Sequence, residues 1–85
     1  MPSTTDTIRE VLNDVARLTA DATTFGENDD LYQRGLTSHA TVNVLMGIED
    51  AFDIELPDTL LRRDTFSSIA ALRDAVLSCG VEETA

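Results

Sequence analysis

Asp30-Leu31-Tyr32-Gln33-Arg34-Gly35-Leu36-Thr37-Ser38 runs directly into a helix-patterned segment that closes on Phe52-Asp53-Ile54-Glu55-Leu56-Pro57-Asp58. Gly35 permits a sharp turn, Leu36 can anchor it, and Thr37-Ser38 stands where loop gives way to helix. Downstream, Val44, Leu45, Ile48 and Phe52 recur at helical spacing, so at about 100° per residue they share one face of a helix over about 38–52. Ala40, Gly47 and Ala51 lie beside that face and are small enough to let another helix approach. A second stripe, His39, Val42, Met46, Glu49 and Asp53, is rotated roughly 120° from the first.

Upstream, Ile8, Val11, Leu12, Val15 and Leu18 follow an amphipathic spacing that predicts a helix over about 5–18, with Thr5 or Asp6 as its N-cap. The polar connection 19–37 holds Phe25, Leu31, Tyr32 and Leu36 as anchors; a loop of that length is functional or carries short turns of its own. Beyond Pro57, Asp58 to Arg63 reads as one short helical turn. Ser67 or Ser68 then caps a last helix over about 68–78, with Ile69, Leu72 and Val76 as its buried line and Gly80 as its stop. No repeat or sustained β-alternation interrupts this pattern. The expected fold is all-α: a small bundle of three principal helices and a short fourth, in one domain over 1–85 with an ordered core over about 5–79 and fraying at Glu82 to Ala85.

With 42% hydrophobic residues, 5% aromatic and no Trp, the core is expected to be aliphatic and shallow. The single Cys79 excludes an internal disulfide and makes no zinc site by itself. No stretch is apolar for long enough to span a bilayer, and Met1-Pro2-Ser3-Thr4 lacks a signal peptide's basic and apolar regions; a cytosolic monomer is expected. Sixteen acids oppose six bases, all of them Arg, for a net charge of −10. Nucleic acid and anionic membrane would repel such a surface. Proteins with basic faces would be drawn to it, although acidity also serves solubility alone.

Catalysis is not expected. Ser38 and His39 are adjacent, so on a helix their side chains diverge by about 100° and cannot form a serine–base pair. Gly35 to Ala40 also lacks the glycines two places either side of a nucleophile-elbow serine. Asp29-Asp30 and the Glu49, Asp50, Asp53, Glu55 group lack calcium-loop spacing and read as solvated acidic surface. Ser38 has two readings. It is either the N-cap of the second helix, or a hydroxyl held out at a helix start, where a phosphate ester would meet free backbone N–H groups and the positive end of the helix dipole. The second stripe suits brief docking: Val42 and Met46 near Ser38 are apolar, and Glu49, Asp50 and Asp53 add charge further along.

Taken together, Asp30-Leu31, Gly35-Leu36-Thr37-Ser38, Val42, Leu45-Met46, Ile48-Glu49 and Phe52-Asp53-Ile54-Glu55-Leu56-Pro57-Asp58 resemble the acyl carrier proteins over nearly the whole chain. The resemblance implies that Ser38 receives 4′-phosphopantetheine from coenzyme A through a phosphopantetheinyl transferase, and that the arm's thiol holds cargo as a thioester for a downstream acceptor enzyme. It further implies that Thr37, His39, Val42, Met46, Glu49, Asp50 and Asp53 form the recognition surface for partners. Two departures stand out. The family's Asp-Ser-Leu is Thr37-Ser38-His39 here, and the connection from Thr59 to Phe66 is longer and more apolar than usual. Both are similar to stand-alone bacterial carriers that accept amino acids from truncated, seryl-tRNA-synthetase-like ligases. A discrete carrier of fatty acyl or polyketide groups, and an unmodified acidic interaction domain, are the alternatives.

Overall fold

In the computed structural model, which describes residues 3–16 and 18–81, helix α1 (Thr4–Val15) is capped by Ser3 rather than by Thr5 or Asp6. The Ser3 hydroxyl accepts from the Asp6 N–H, and the Asp6 carboxylate accepts from the Ser3 N–H, a reciprocal capping box. The helix also ends earlier than its apolar periodicity suggests. Thr19 donates its N–H to the Arg34 carbonyl at 2.8 Å, so the chain has already left the helix axis to pair with the loop. Leu18 still packs against the core, but from outside the helix.

Helix α2 (Ser38–Phe52) and helix α3 (Ile69–Ser78) complete the bundle, α3 with Ser68 as its cap. Ile8 and Leu12 of α1, Val44 and Ile48 of α2, and Ile69, Leu72 and Val76 of α3 are wholly buried together. Each such side chain contributes about 1.5–3 kcal/mol on leaving water. Gly47 sets the α1–α2 spacing: a Cβ there would lie 2.7 Å from Val11 Cγ1. Valine has little χ1 freedom in a helix and cannot easily move aside.

The long connection is built from single turns of 3-10 helix at Ala22–Thr24 and Leu31–Arg34. Leu31 is fully buried, with Phe25 and Leu36 nearly so. Gly35 closes the second turn at φ 103°, in the left-handed region that costs a glycine little. Arg9 fastens the first turn by donating to the Ala22 and Phe25 carbonyls. Hydrogen bonds from Leu31 N–H to the Ser67 carbonyl (2.8 Å) and from Ala70 N–H to the Glu27 carbonyl (2.9 Å) tie the connection to the start of α3.

Between α2 and α3 the expected single helical turn is replaced by two 3-10 turns, Asp58–Leu60 and Arg63–Phe66, with Arg62 extended between them. Phe66 and Thr65, at the end of the second turn, are buried. Residues 82–85, where fraying was expected, lie outside the described residues. No helix of the structure is long and apolar enough to cross a membrane.

Two aspartates stiffen the connection electrostatically. Asp21 is held below the ordinary 3.8 by the Thr23 N–H, then by Asn13 and the Thr23 hydroxyl. Asp29 is likewise lowered, first by the Gly26 N–H, with Arg34 adding to it at 3.0 Å. A carboxylate whose native pKa is depressed contributes stability that is complete above its unfolded value and is lost as pH falls through the native one. The Thr23 and Gly26 amide resonances should therefore titrate with midpoints below 3.8. Midpoints at or above that value would show that the carboxylates do not hold these amides.

Candidate functional site

Thr37, not Ser38, caps α2. Its backbone is extended (φ −106°, ψ 161°), and its hydroxyl accepts from the Ala40 N–H at 3.0 Å. Its carbonyl takes the Thr41 N–H at 3.1 Å. Ser38 is thus the first helical residue, exposed, and no described residue hydrogen-bonds its Oγ. The amides of Ser38 and His39, in the unsatisfied first turn, have no acceptor among the described residues. Of the two readings of Ser38, the capping one is excluded by its neighbour.

The division of labour between these adjacent hydroxyls is testable. Thr37→Ala should lower stability by about 1 kcal/mol, the usual cost of losing a cap. Urea denaturation measures it, and an unchanged midpoint would return the capping role to Ser38.

Ser38 opens onto a groove of about 400 Å³ between α2 and the 58–66 connection. Thr41, Val42 and Leu45 form its α2 wall; Leu61, Arg62, Arg63 and Phe66 form the other, and Tyr32 closes one end. The lining is mainly apolar, and Val42 (56% exposed) and Leu61 (42%) face each other's elements with their side chains uncovered. Tyr32 fixes the far wall. Its hydroxyl donates to the Arg63 carbonyl at 3.1 Å, and the Arg63 guanidinium lies 3.7 Å from its ring centroid. Partial burial raises the Tyr32 phenol above its ordinary value, so it is protonated and available as that donor.

The stripe expected to serve partners is a ridge with two flanks. Val42 faces the Ser38 groove. His39 lines a shallow cleft against the end of α1 with Val15, Ala16 and Gly35, and Met46 and Asp50 border another with Asp14 and Gly47. Ser38 and His39 therefore open into different clefts, in keeping with their divergence of about 100° on the helix. Met46, 60% exposed, crowns the ridge. Glu49 is only half-exposed and is turned inward: its Oε2 accepts from the Leu56 N–H at 2.9 Å, while its carbonyl takes the Asp53 and Ile54 N–H groups. It fastens the segment after α2, where Asp53 adopts a left-handed turn at φ 53°. Asp50 and Asp53 remain exposed. Among the described residues no three His, Cys, Asp or Glu side chains gather closely enough to hold a metal.

Sequence reasoning did not identify Tyr32, Thr41, Leu61, Arg62 or Arg63 as neighbours of Ser38. The available signal was the unusual apolar and dibasic character of the 59–66 connection, whose position beside α2 only the fold reveals.

Comparisons with known proteins agree with this geometry. The family described as Phosphopantetheine attachment site matches residues 6–76. The aminoacyl carrier protein of Agrobacterium fabrum (strain C58) is 49% identical over 70 residues, covering 82% of this chain and 84% of that one. Among solved structures, the chain superposes with a TM-score of 0.85 and 45% identity on a chain of the engineered Bradyrhizobium japonicum glycine:[carrier protein] ligase complexed with carrier protein from Agrobacterium tumefaciens and ATP, covering 88% of this chain and 97% of that one. A chain of the Bradyrhizobium japonicum glycine:[carrier protein] ligase complexed with glycylated carrier protein matches with a TM-score of 0.72 and 26% identity, over 85% and 96% of the two chains.

Proposed function

The chain belongs to the family of proteins with a phosphopantetheine attachment site, and from that premise we propose that residues 1–85 form one carrier domain that holds an amino acid as a thioester on 4′-phosphopantetheine joined to Ser38. The observation that carries the site assignment is the free, exposed Ser38 hydroxyl beside a neighbour that has taken over the capping role. The arm, once attached, supplies a terminal thiol on which the acyl group is carried. The protein's own residues position that arm and catalyse nothing. Ser38 Oγ becomes the bridging oxygen of a phosphodiester, with the Ser38 and His39 amides and the positive end of α2 beside the new negative charge. A phosphopantetheinyl transferase binds coenzyme A and removes the hydroxyl proton; the Ser38 oxygen attacks the phosphorus that bears the pantetheine arm, the pyrophosphate P–O bond of coenzyme A breaks, and adenosine 3′,5′-bisphosphate leaves.

The amino acid reading rests on the aminoacyl carrier relative and on the glycylated carrier protein among the structural neighbours. The partner that loads the arm is then an amino acid:[carrier protein] ligase, a truncated relative of seryl-tRNA synthetase, and a downstream enzyme receives the cargo. Val42 and Met46 offer these partners apolar contact. Asp50 and Asp53 steer basic surfaces toward it, and Thr37, His39 and Glu49 act at its margins by shaping the ridge. The phosphopantetheinylated protein, incubated with ATP, glycine and a glycine:[carrier protein] ligase, should gain the mass of one glycyl group, and hydroxylamine should remove it as expected of a thioester. Loading by fatty acyl ligases alone would replace the amino acid with a fatty acyl cargo. Failure of several transferases to attach the arm in the first place would leave an unmodified interaction domain.

A further inference from the structure

The arginines of this chain are few, and their pairing is uneven. Among the described residues, Arg34 pairs with Asp29 and Arg73 with Glu27, while Arg9 donates to two backbone carbonyls. Arg62 and Arg63 have no carboxylate within ion-pair distance among the described residues, in a protein whose net charge is −10. Both line the groove that opens at Ser38. Arg63 is also held in place, stacked on the Tyr32 ring, with its carbonyl taking the Tyr32 hydroxyl. Stacking uses the guanidinium face and leaves its edge of N–H donors open, the geometry that suits a phosphate oxygen pair.

A phosphodiester added to so acidic a body is repelled by most of the surface. The groove brings two unpaired cations to Ser38's side, although Asp30 and Asp64 also act on Tyr32 beside them. We propose that Arg62 and Arg63 form a seat for the phosphodiester that joins the arm to Ser38, so that the arm leaves the helix along the groove and not freely into solvent. Arg63 is the fixed donor and Arg62, exposed on the extended residue between two turns, is the adjustable one. This inference rests on Ser38 being the attachment site.

The side-chain Nε–H resonances of the arginines, recorded by NMR before and after modification with coenzyme A and a transferase, test it. Intact mass is read on the same samples. On full conversion the Arg62 and Arg63 resonances should shift while those of Arg34 and Arg73 stay in place. In the R62Q/R63Q variant the mass gain should remain complete, but the phosphorus-31 resonance should move toward that of the same phosphodiester in the urea-unfolded modified protein and lose its salt dependence. Full conversion with Arg62 and Arg63 unmoved, or an identical phosphorus resonance in the variant, overturns the seat and leaves the attachment site standing. Resonances that respond to inorganic phosphate added to the unmodified protein but not to modification assign the pair to another molecule's anion and also overturn it. Absence of any mass gain overturns both the seat and the attachment site.

Discussion

Ser38→Ala should abolish attachment of the phosphopantetheine arm completely while leaving the fold as stable as before. The two halves of that result come from different atoms. Attachment needs the Ser38 oxygen, and no neighbouring hydroxyl replaces it: Thr37 Oγ1 is engaged with the Ala40 N–H, and Thr41 Oγ1 donates to the Ser38 carbonyl at 2.6 Å. Stability does not need it, because Ser38 Oγ makes no hydrogen bond to a described residue and is exposed. A surface substitution of that kind changes stability by less than about 0.5 kcal/mol. Intact mass after incubation with coenzyme A and a transferase, together with urea denaturation of the unmodified protein, measures both halves. A destabilisation of a kilocalorie or more, on the order of a lost cap, would mean that Ser38 is structural.

Leu31→Ala should be the most damaging single truncation for the presentation of that serine. Leu31 is fully buried, its N–H is bonded to the Ser67 carbonyl, and its own carbonyl takes the Leu36 N–H at 3.0 Å. It thus joins the 19–37 connection to the α3 start and fixes the turn that leads into α2. A buried Leu→Ala change costs about 2–5 kcal/mol. At roughly 0.05–0.15 kcal/mol per residue, a chain of this size has only about 4–13 kcal/mol in all. The melting temperature should fall by more than about 10 °C, at ~4–8 °C per kcal/mol for a small domain. Modification at an intact Ser38 should slow with it. Leu31→Ile, which preserves volume, should lose less than about 1.5 kcal/mol and recover most of the rate. Full modification rate in a strongly destabilised Leu31→Ala protein would show that the transferase does not need the loop in place.

Much of this architecture was legible because local and tertiary preferences coincide. The apolar line of Val44, Leu45, Ile48 and Phe52 has one helical solution, and α2 occupies 38–52 as its spacing requires. Ile69, Leu72 and Val76 did the same for α3. Ser3 was readable but missed: a serine three residues before an aspartate at a helix start is the capping-box signature. The Thr37-Ser38 step was ambiguous for a physical reason, since both are good caps and only the backbone torsion at Thr37 decides between them. Asp58 to Arg63 reads as one turn because its sequence carries no local sign that Arg62 is extended; the structure breaks it there, and the second turn ends on the buried Phe66. Nothing local could place Arg63 against Tyr32, 31 residues away, so the cationic wall of the groove emerges only with the fold. Glu49 looked like part of an acidic face, whereas the Leu56 N–H claims its carboxylate.

Locating the adduct tests the central claim most directly. Cleavage after Arg34 and Arg62 releases a peptide, 35–62, in which Ser38 is the sole serine, in a chain without lysine to add further cuts. After incubation with coenzyme A and a transferase, fragmentation of that peptide should place the whole phosphopantetheine mass on Ser38. An unmodified 35–62 peptide, or an adduct on any other residue, would contradict the account.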